Sequence, residues 1–233
     1  MLSIKDNFDL FYKHFIEYEG YLKVLEGLKN TLLIAFVGLL IGIIIGSVIA
    51  TVKVAAPRSK VAKAFSYVGD VYTGLFRGTP IIVQLIIFHY VIFQGVSIPS
   101  PWEAVLVFGL NSGAYVAEIM RSGIQSVDVG QLEAGRTLGL SYVTTMIKIV
   151  IPQAIKNVIP TLGNELIALV KDTSVAGYAA TLDLNAAFSA IAGATYEYMI
   201  PYLILALIYL VIVIILTLAI KLIERRLRKR EKR

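Results

Sequence analysis

Residues 30–52 read NTLLIAFVGLLIGIIIGSVIATV, 23 consecutive positions without a formal charge. A helix rising about 1.5 Å per residue needs about 20 apolar residues to cross the roughly 30 Å of hydrocarbon in a bilayer. The stretch is therefore long enough to span. It starts too late, runs too long and is followed by too much charge for a cleaved secretory leader. Gly38, Gly42 and Gly46 recur every fourth residue and would let another helix approach closely, whether within one chain or across a dimer.

Two more charge-free runs extend the pattern. Residues 78–102 give 25 positions and 198–220 another 23. Weaker candidates are 101–120, which holds Glu103 and Glu118, and 158–170, which holds Glu165. An acid is tolerated in a span that packs against protein and is costly in one that faces lipid. The chain as a whole is 57% hydrophobic and only 16% charged, against nearer a quarter charged in soluble globular domains. The expected fold class is an all-α membrane protein with about five transmembrane helices.

Basic residues set the expected orientation. Residues 53–63 carry four, 121–156 carry four and the tail from Lys221 carries eight, out of 22 in the chain. The intervening segments 95–101 and 172–200 carry none. The positive-inside rule then puts the N-terminus outside and the C-terminus in the cytosol of a multi-pass membrane protein. The basic tail either contacts anionic headgroups or is solvated and fixes topology. We divide the chain into a lead-in (1–26), a membrane domain (27–224) with a cytosolic loop at 121–156, and the basic tail (225–233). In the lead-in, Phe8, Phe11, Phe15, Tyr18 and Leu22 recur at helical spacing, which reads as an amphipathic helix on the outer surface, aromatic side down, or as a loosely ordered segment.

Several activities are excluded or disfavoured. There is no cysteine and no HExxH, so no metal site is expected. No GxxxxGK[ST] occurs, and no nucleophile–base pairing or phosphate cradle suggests an enzyme. No cofactor is expected in this chain; ATP and magnesium, if used, belong to a partner subunit. An ion-coupled carrier would use the intramembrane acids but gives no reason for the soluble stretch LEAGRTLGLSY at 132–142.

That stretch holds Leu132, Leu138 and Leu140 for apolar contact, and Glu133 and Arg136 at i, i+3 on a short helix. Gly130 precedes it, Gly139 permits a sharp turn, and Pro152 and Pro160 are expected to break the chain again. The spacing is Glu133-Ala134-Gly135, three residues, Gly139, nine residues, Ile149-Val150-Ile151-Pro152. It resembles, step for step, the cytosolic loop signature of ABC importer membrane subunits. Gly135 stands where Ala is usual and Ile151 where Leu is usual. FRGTPIIVQL (76–85), the run from Ser112 to Gly135 and IPQAIKNVIPTLGNELIALVKDTS (151–174) are similar to permeases of the polar amino acid class, the histidine, glutamine, glutamate and arginine importers.

The resemblance implies a type I importer permease fold with a cytosolic coupling helix. It implies a second copy of this or a similar permease, two cytosolic ATP-binding subunits and an external solute-binding protein. Leu132, Glu133, Ala134, Gly135, Arg136 and Gly139 would couple to the ATPase, and transport would proceed by alternating access.

Polar residues inside the spans are the candidate substrate site. Asn111 lies eight residues beyond Glu103, about 12 Å along a helix, with Ser112 and Tyr115 following. Gln84 lies about 16 Å before Gly95, and Asn164 and Glu165 about 10 Å before Lys171. Any one of these alone reads equally as glue between helices; Gln84, Glu103, Asn111, Tyr115, Asn164 and Glu165 together read as a substrate layer. Glu103 and Glu165 have only Lys171 near them in sequence as a cation, and a desolvated carboxylate demands a partner. A cationic amino acid such as arginine, lysine or histidine would supply it. The alternative is that Glu165 pairs with Lys171 or a backbone donor and the substrate is glutamine-like. Glu118 is expected to pair with Arg121, Asp183 and Glu197 to face solvent, and Asp172–Ser174 to mark a helix break with Asp or Ser capping. His89 is expected to be a core histidine or a titrating group in the pathway. Arg77 fits two arrangements: residues 60–76 on the inner surface with 80–97 crossing, or a helix broken at Gly78–Pro80.

Overall fold

The computed structural model describes residues 4–55, 57 and 59–229, and these are helical almost throughout, with no strand among them. A chain whose solvent is hydrocarbon must satisfy its backbone internally, and continuous helices do so. The order is α1 (Ile4–Tyr12), α2 (Gly20–Ala55), α3 (Lys60–Gly78), α4 (Ile81–Ile87), α5 (Ser100–Gln125), α6 (Val129–Thr137), α7 (Tyr142–Thr145), α8 (Ile151–Asp172), α9 (Leu184–Thr195) and α10 (Met199–Lys229). Wider π-type turns at Lys13–Glu17, Phe88–Ile92 and Met146–Val150 and a tight 3₁₀ segment at Thr173–Ala179 join some of them.

Among the described residues, two helices are long and apolar enough to cross a membrane, Gly20–Ala55 and Met199–Leu227. A third candidate is the pair Lys60–Gly78 and Ile81–Ile92, bent by 104° at its break. The charge-free run 78–102 is therefore not one helix. Its helix begins only at Ile81 and ends at Ile92, while Trp102 belongs to α5. Pro80 is the cause: it is extended (ψ 138°), lacks a donor and caps the start of α4. A break after Gly78 is common to both arrangements given for Arg77, and it is observed. α5 and α8, the helices over the two weaker candidates, are 26 and 22 residues long. Pro152 and Pro160 do not break the chain as expected. Pro152 follows directly on the π-type turn Met146–Val150, with which α8 is continuous, and α8 runs on through Pro160.

The chain forms two compact units. The first comprises Met1–Leu39, Thr79–Gly109 and Leu166–Leu216. Its core gathers Phe11, Val24, Leu184, Phe188, Ile191 and Leu205. Phe11 stacks on Phe15 at 5.2 Å and both pack into this protein core. The aromatic-side-down reading of the lead-in is corrected for these two, while Phe8, Tyr18 and Leu22 are exposed. α9, an apolar helix of 12 residues, was not foreseen. Its N-cap is Asp183, fully buried, whose carboxylate accepts from Asn185 N (2.9 Å) and Ala186 N (3.2 Å). Asn30 donates to the Leu182 carbonyl (2.9 Å), and Thr31 Oγ1 accepts from Leu184 N (3.1 Å). Glu197 is also buried and accepts from Met199 N and Ile200 N at the start of α10. The expectation that Asp183 and Glu197 face solvent is wrong for one physical reason: each satisfies orphan donors at a buried helix start. At Asp172–Ser174 the helix does change, to 3₁₀, without a side-chain cap from Asp172.

The second unit comprises Leu40–Gly78, Leu110–Glu165 and Thr217–Arg233. A Cβ at Gly42 would lie 2.7 Å from Ser112 Oγ, and one at Gly46 would lie 2.7 Å from Val116 Cβ. Within the first unit Gly38 meets Phe108 Cβ in the same way, at 3.3 Å. The glycine ridge of α2 thus accepts residues of the same chain at i, i+4 and i+8 of α5, a ridge-in-groove contact. Phe36, Leu40, Ile44 and Val48, two residues out of phase and so on the other side of α2, are exposed as a lipid-facing stripe requires.

Candidate functional site

The soluble stretch 132–142 holds most of α6 and reaches the first residue of α7, with a tight turn between them. Asp128 caps α6, accepting from Gly130 N at 2.7 Å, so Gly130 lies inside the first turn rather than breaking the chain before it. The turn after α6 is made by Gly139 in the left-handed region (φ 82°), where a side chain would be strained. Ser141 then caps α7 through Thr144 N, 3.1 Å.

One side of α6 is anchored and the other is bare. Leu132 packs with Val127, Met146, Val150 and Ala154, together with Val54 and Tyr142. Gly135 is buried against Thr145, and a Cβ there would overlap Thr145 Cγ2. This contact accounts for glycine where the family pattern has alanine. Glu133, Ala134, Arg136 and Leu138 are exposed. Glu133 and Arg136, with Leu132, Thr137 and Tyr142, line a shallow cleft. Arg136 does not reach back to Glu133 as its spacing suggested; its Nη1 donates to the Leu140 carbonyl at 3.0 Å, holding the turn closed.

A charge cluster around the nearly buried Lys53, which the sequence did not reveal, lies beside this element. Lys53, its side chain only 10% exposed, meets Asp70 at 2.9 Å and Glu118 at 3.4 Å, and donates to Thr73 Oγ1 at 3.4 Å. Glu118 also pairs with Arg121 at 2.6 Å, as expected. The cluster ties α2 to α3 and α5, and Val54, next to Lys53, packs in the core that holds Leu132. Sequence distance hid it: Lys53 and Glu118 are 65 residues apart.

The six candidate substrate residues divide between the units. In the first, Gln84 is buried and donates to Thr79 O (3.0 Å) and Thr79 Oγ1 (2.9 Å), tying α4 back to the Pro80 break. Glu103, also buried, contacts His89 Nδ1 through Oε2 at 2.6 Å. The expectation that only Lys171 is available to Glu103 is corrected: the partner comes from the π-type turn after α4.

In the second unit Asn111 is buried and donates to the Phe76 carbonyl at 3.3 Å. Ser112 Oγ donates to Glu165 Oε1 at 3.1 Å, joining α5 to α8. The Arg77 guanidinium lies 5.5 Å from the centre of the Tyr115 ring, a cation–π contact. Tyr115 and Asn164 are exposed and Glu165 is half-buried. The arrangement offers an amide, a carboxylate and an aromatic face already carrying one guanidinium. An amide and a carboxylate can meet the polar atoms of a small ligand, while the ring face is taken by the Arg77 guanidinium.

Comparison with known proteins gives a consistent result. The family model described as "Binding-protein-dependent transport system inner membrane component" matches residues 38–229. The arginine transport system permease protein of Bacillus subtilis is 40% identical over 207 residues, covering 88% of this chain and 92% of that protein. A putative glutamine transport system permease protein of Rickettsia typhi is 35% identical over 212 residues, covering 90% and 95%. A crystal structure of an amino acid ABC transporter with histidines aligns with a TM-score of 0.83 at 38% identity, covering 92% of this chain and 98% of that one.

Proposed function

The chain belongs to the family of inner membrane components of binding-protein-dependent transport systems, and from that premise we propose that it forms the translocation pathway for a polar, cationic amino acid. The fold is all-helical and of the type I importer permease kind. The family implies ATP-binding subunits and a solute-binding protein as partners.

The observation that carries the reading is the two-sidedness of α6. Leu132 and Gly135 fix it to the body, while Glu133, Ala134 and Arg136 face outward over a cleft. An anchored helix with a bare polar face is what a rigid lever held by another protein requires. Two cytosolic ATP-binding subunits, one per permease copy, would grip these levers. Their closure would rock the spans between inward-open and outward-open states and expose the polar residues to the external binding protein. The basic segments support an N-terminus outside and a C-terminus in the cytosol.

A cationic substrate is supported by the arginine permease relative and by the half-buried Glu165 carboxylate beside Ser112 in the second unit. A glutamine importer is the second reading, favoured by the glutamine-permease relative and by the His89 partner of Glu103, which removes one demand for a substrate cation. The test is uptake by the assembled transporter in proteoliposomes with ATP on the α6 side. ATP-dependent arginine uptake is expected to exceed glutamine uptake. Glu133→Lys is expected to abolish uptake while membrane insertion is kept. Undiminished uptake by that variant would remove the coupling role, and preference for glutamine would select the second reading.

A further inference from the structure

α3 carries two exposed stripes of opposite character. Val61, Val68 and Leu75 recur every seven residues and are exposed, as a lipid-facing stripe is. Lys63, Asp70 and Arg77 recur at the same interval two residues further on, so they lie on roughly the other side of the helix, and they too are exposed. Between the stripes Gly69, Thr73 and Phe76 are buried. Arg77 therefore projects away from the lipid side of its own helix.

Its depth follows from its neighbours on α5. Asn111 donates to the Phe76 carbonyl at 3.3 Å, and the Arg77 guanidinium lies 5.5 Å from the centre of the Tyr115 ring. Asn111 and Tyr115 are the twelfth and sixteenth of the 26 residues of α5, near its middle. A guanidinium at such a depth is costly in lipid; residues of this kind face a water-filled path and pair with an opposite charge.

The neighbouring carboxylates of α3 and α5 are matched by other cations. Asp70 meets Lys53 at 2.9 Å, and Glu118 meets Arg121 at 2.6 Å and Lys53 at 3.4 Å. Among the described residues Arg77 pairs with no carboxylate, and the Tyr115 ring is its one partner. An aromatic face attracts a cation but brings no negative charge. A guanidinium has five N–H donors in a fixed fork and can turn two of them to one carboxylate. There is room for a ligand here: a Cβ at Gly74 or at Gly78, three residues before Arg77 and one after it, would meet nothing within 4 Å.

We propose that Arg77 binds the α-carboxylate of the transported amino acid, with Tyr115 holding the guanidinium in place. The assignment rests on the amino acid importer reading. Every α-amino acid carries this carboxylate, so Arg77 serves arginine and glutamine alike and leaves the choice between them to other residues. Lysine at this position would supply a point charge without the fork. A lipid phosphate or an acid of a second copy would also neutralise Arg77, and neither would make ligand binding depend on a carboxylate through this residue.

The test is equilibrium binding to the assembled permease and ATP-binding subunits in nanodiscs, without binding protein. Each amino acid is compared with its decarboxylated amine: arginine with agmatine, glutamine with 4-aminobutanamide. The unaltered transporter is expected to bind the amino acid about tenfold tighter than the amine, the worth of a charge-assisted contact. In Arg77→Met that preference is expected to disappear, because the amino acid loses affinity and the amine does not. Arg77→Lys should keep part of it. A variant that only loosens the fold weakens amino acid and amine together and leaves the preference standing, and that result overturns the assignment. So does an unaltered transporter that binds amine and amino acid equally, or that imports the amino acid and binds neither; these comparisons need no variant. A transporter that imports amino acids and fails in any of these ways sinks the Arg77 assignment alone. One that imports none sinks the functional reading beneath it.

Discussion

Gly135 lies against Thr145 with no room for a Cβ: a methyl group at 135 would overlap Thr145 Cγ2 and approach Ile149 Cδ1 to 3.3 Å. The coupling helix is therefore seated on α7 through a backbone-to-side-chain contact. Gly135→Ala, though it restores the residue usual in the family, is expected to lift α6 from its seat. Overpacking of this kind costs about 1–3 kcal/mol, so uptake should fall severalfold while ATP hydrolysis persists. Thr145→Ala should make room, and the double variant should recover uptake. A Gly135→Ala single variant with full uptake would show that the seat yields without cost.

Lys53 is the second expected lever point. Its side chain is nearly buried and bridges Asp70 on α3 and Glu118 on α5, while the adjacent Val54 contacts the core holding Leu132. Removing Lys53 leaves Asp70 to solvent and Glu118 to Arg121, and takes away the bridge from α2 to α3 and α5. Lys53→Met is expected to raise the ATP hydrolysed per substrate imported, because motion of α6 no longer carries α3 and α5 with it. Lys53→Arg should keep most of the coupling. Equal loss of hydrolysis and uptake in Lys53→Met, with a lowered Tm, would mark the cluster as purely architectural.

Charge-free runs at 30–52 and 198–220 were legible because a helix in hydrocarbon leaves a composition signal along its whole length, and α2 and α10 cover both. The four-residue glycine repeat was legible as close approach, and α5 is its partner. The bend after Gly78 was half-legible. Pro80 announces a break, but no residue pattern states its angle of 104°. α9 was missed although its signal was present. Asp183 stands directly before the apolar run from Leu184, an N-cap followed by a helix. An Asp is mostly solvent-exposed in proteins, so Asp183 reads first as a surface residue. Partnerships such as Lys53 with Glu118 or His89 with Glu103 join residues on different helices, and no periodicity encodes them.

Asp183 gives a prediction about stability. It is fully buried and accepts two backbone donors at the head of α9. An alanine there removes the cap and leaves buried N–H groups unsatisfied, a cost of about 1–3 kcal/mol. Asp183→Ala should lower the Tm of the purified complex by several degrees, and Asp183→Asn, which still offers a side-chain carbonyl, by much less. Equal melting of the two variants would show that charge rather than capping matters at this position.

His89 and Glu103 give a prediction about selectivity. The 2.6 Å contact places a donor from the turn after α4 on a carboxylate at the start of α5, and only 7% of the Glu103 side chain is exposed. The carboxylate thus has a protein partner that ties two helices together. Glu103→Gln and His89→Asn should weaken this tie alike, by about 1–3 kcal/mol for a contact involving a charged group. Their effect on transport should fall equally on arginine and glutamine uptake. Glu165→Gln alters a half-buried carboxylate beside Ser112 in the second unit and is expected to reduce arginine uptake more than glutamine uptake. Comparing the arginine-to-glutamine uptake ratio across the three variants decides which acid reads the substrate. A ratio that shifts in Glu103→Gln and not in Glu165→Gln would reverse the assignment and make the His89 contact part of substrate recognition.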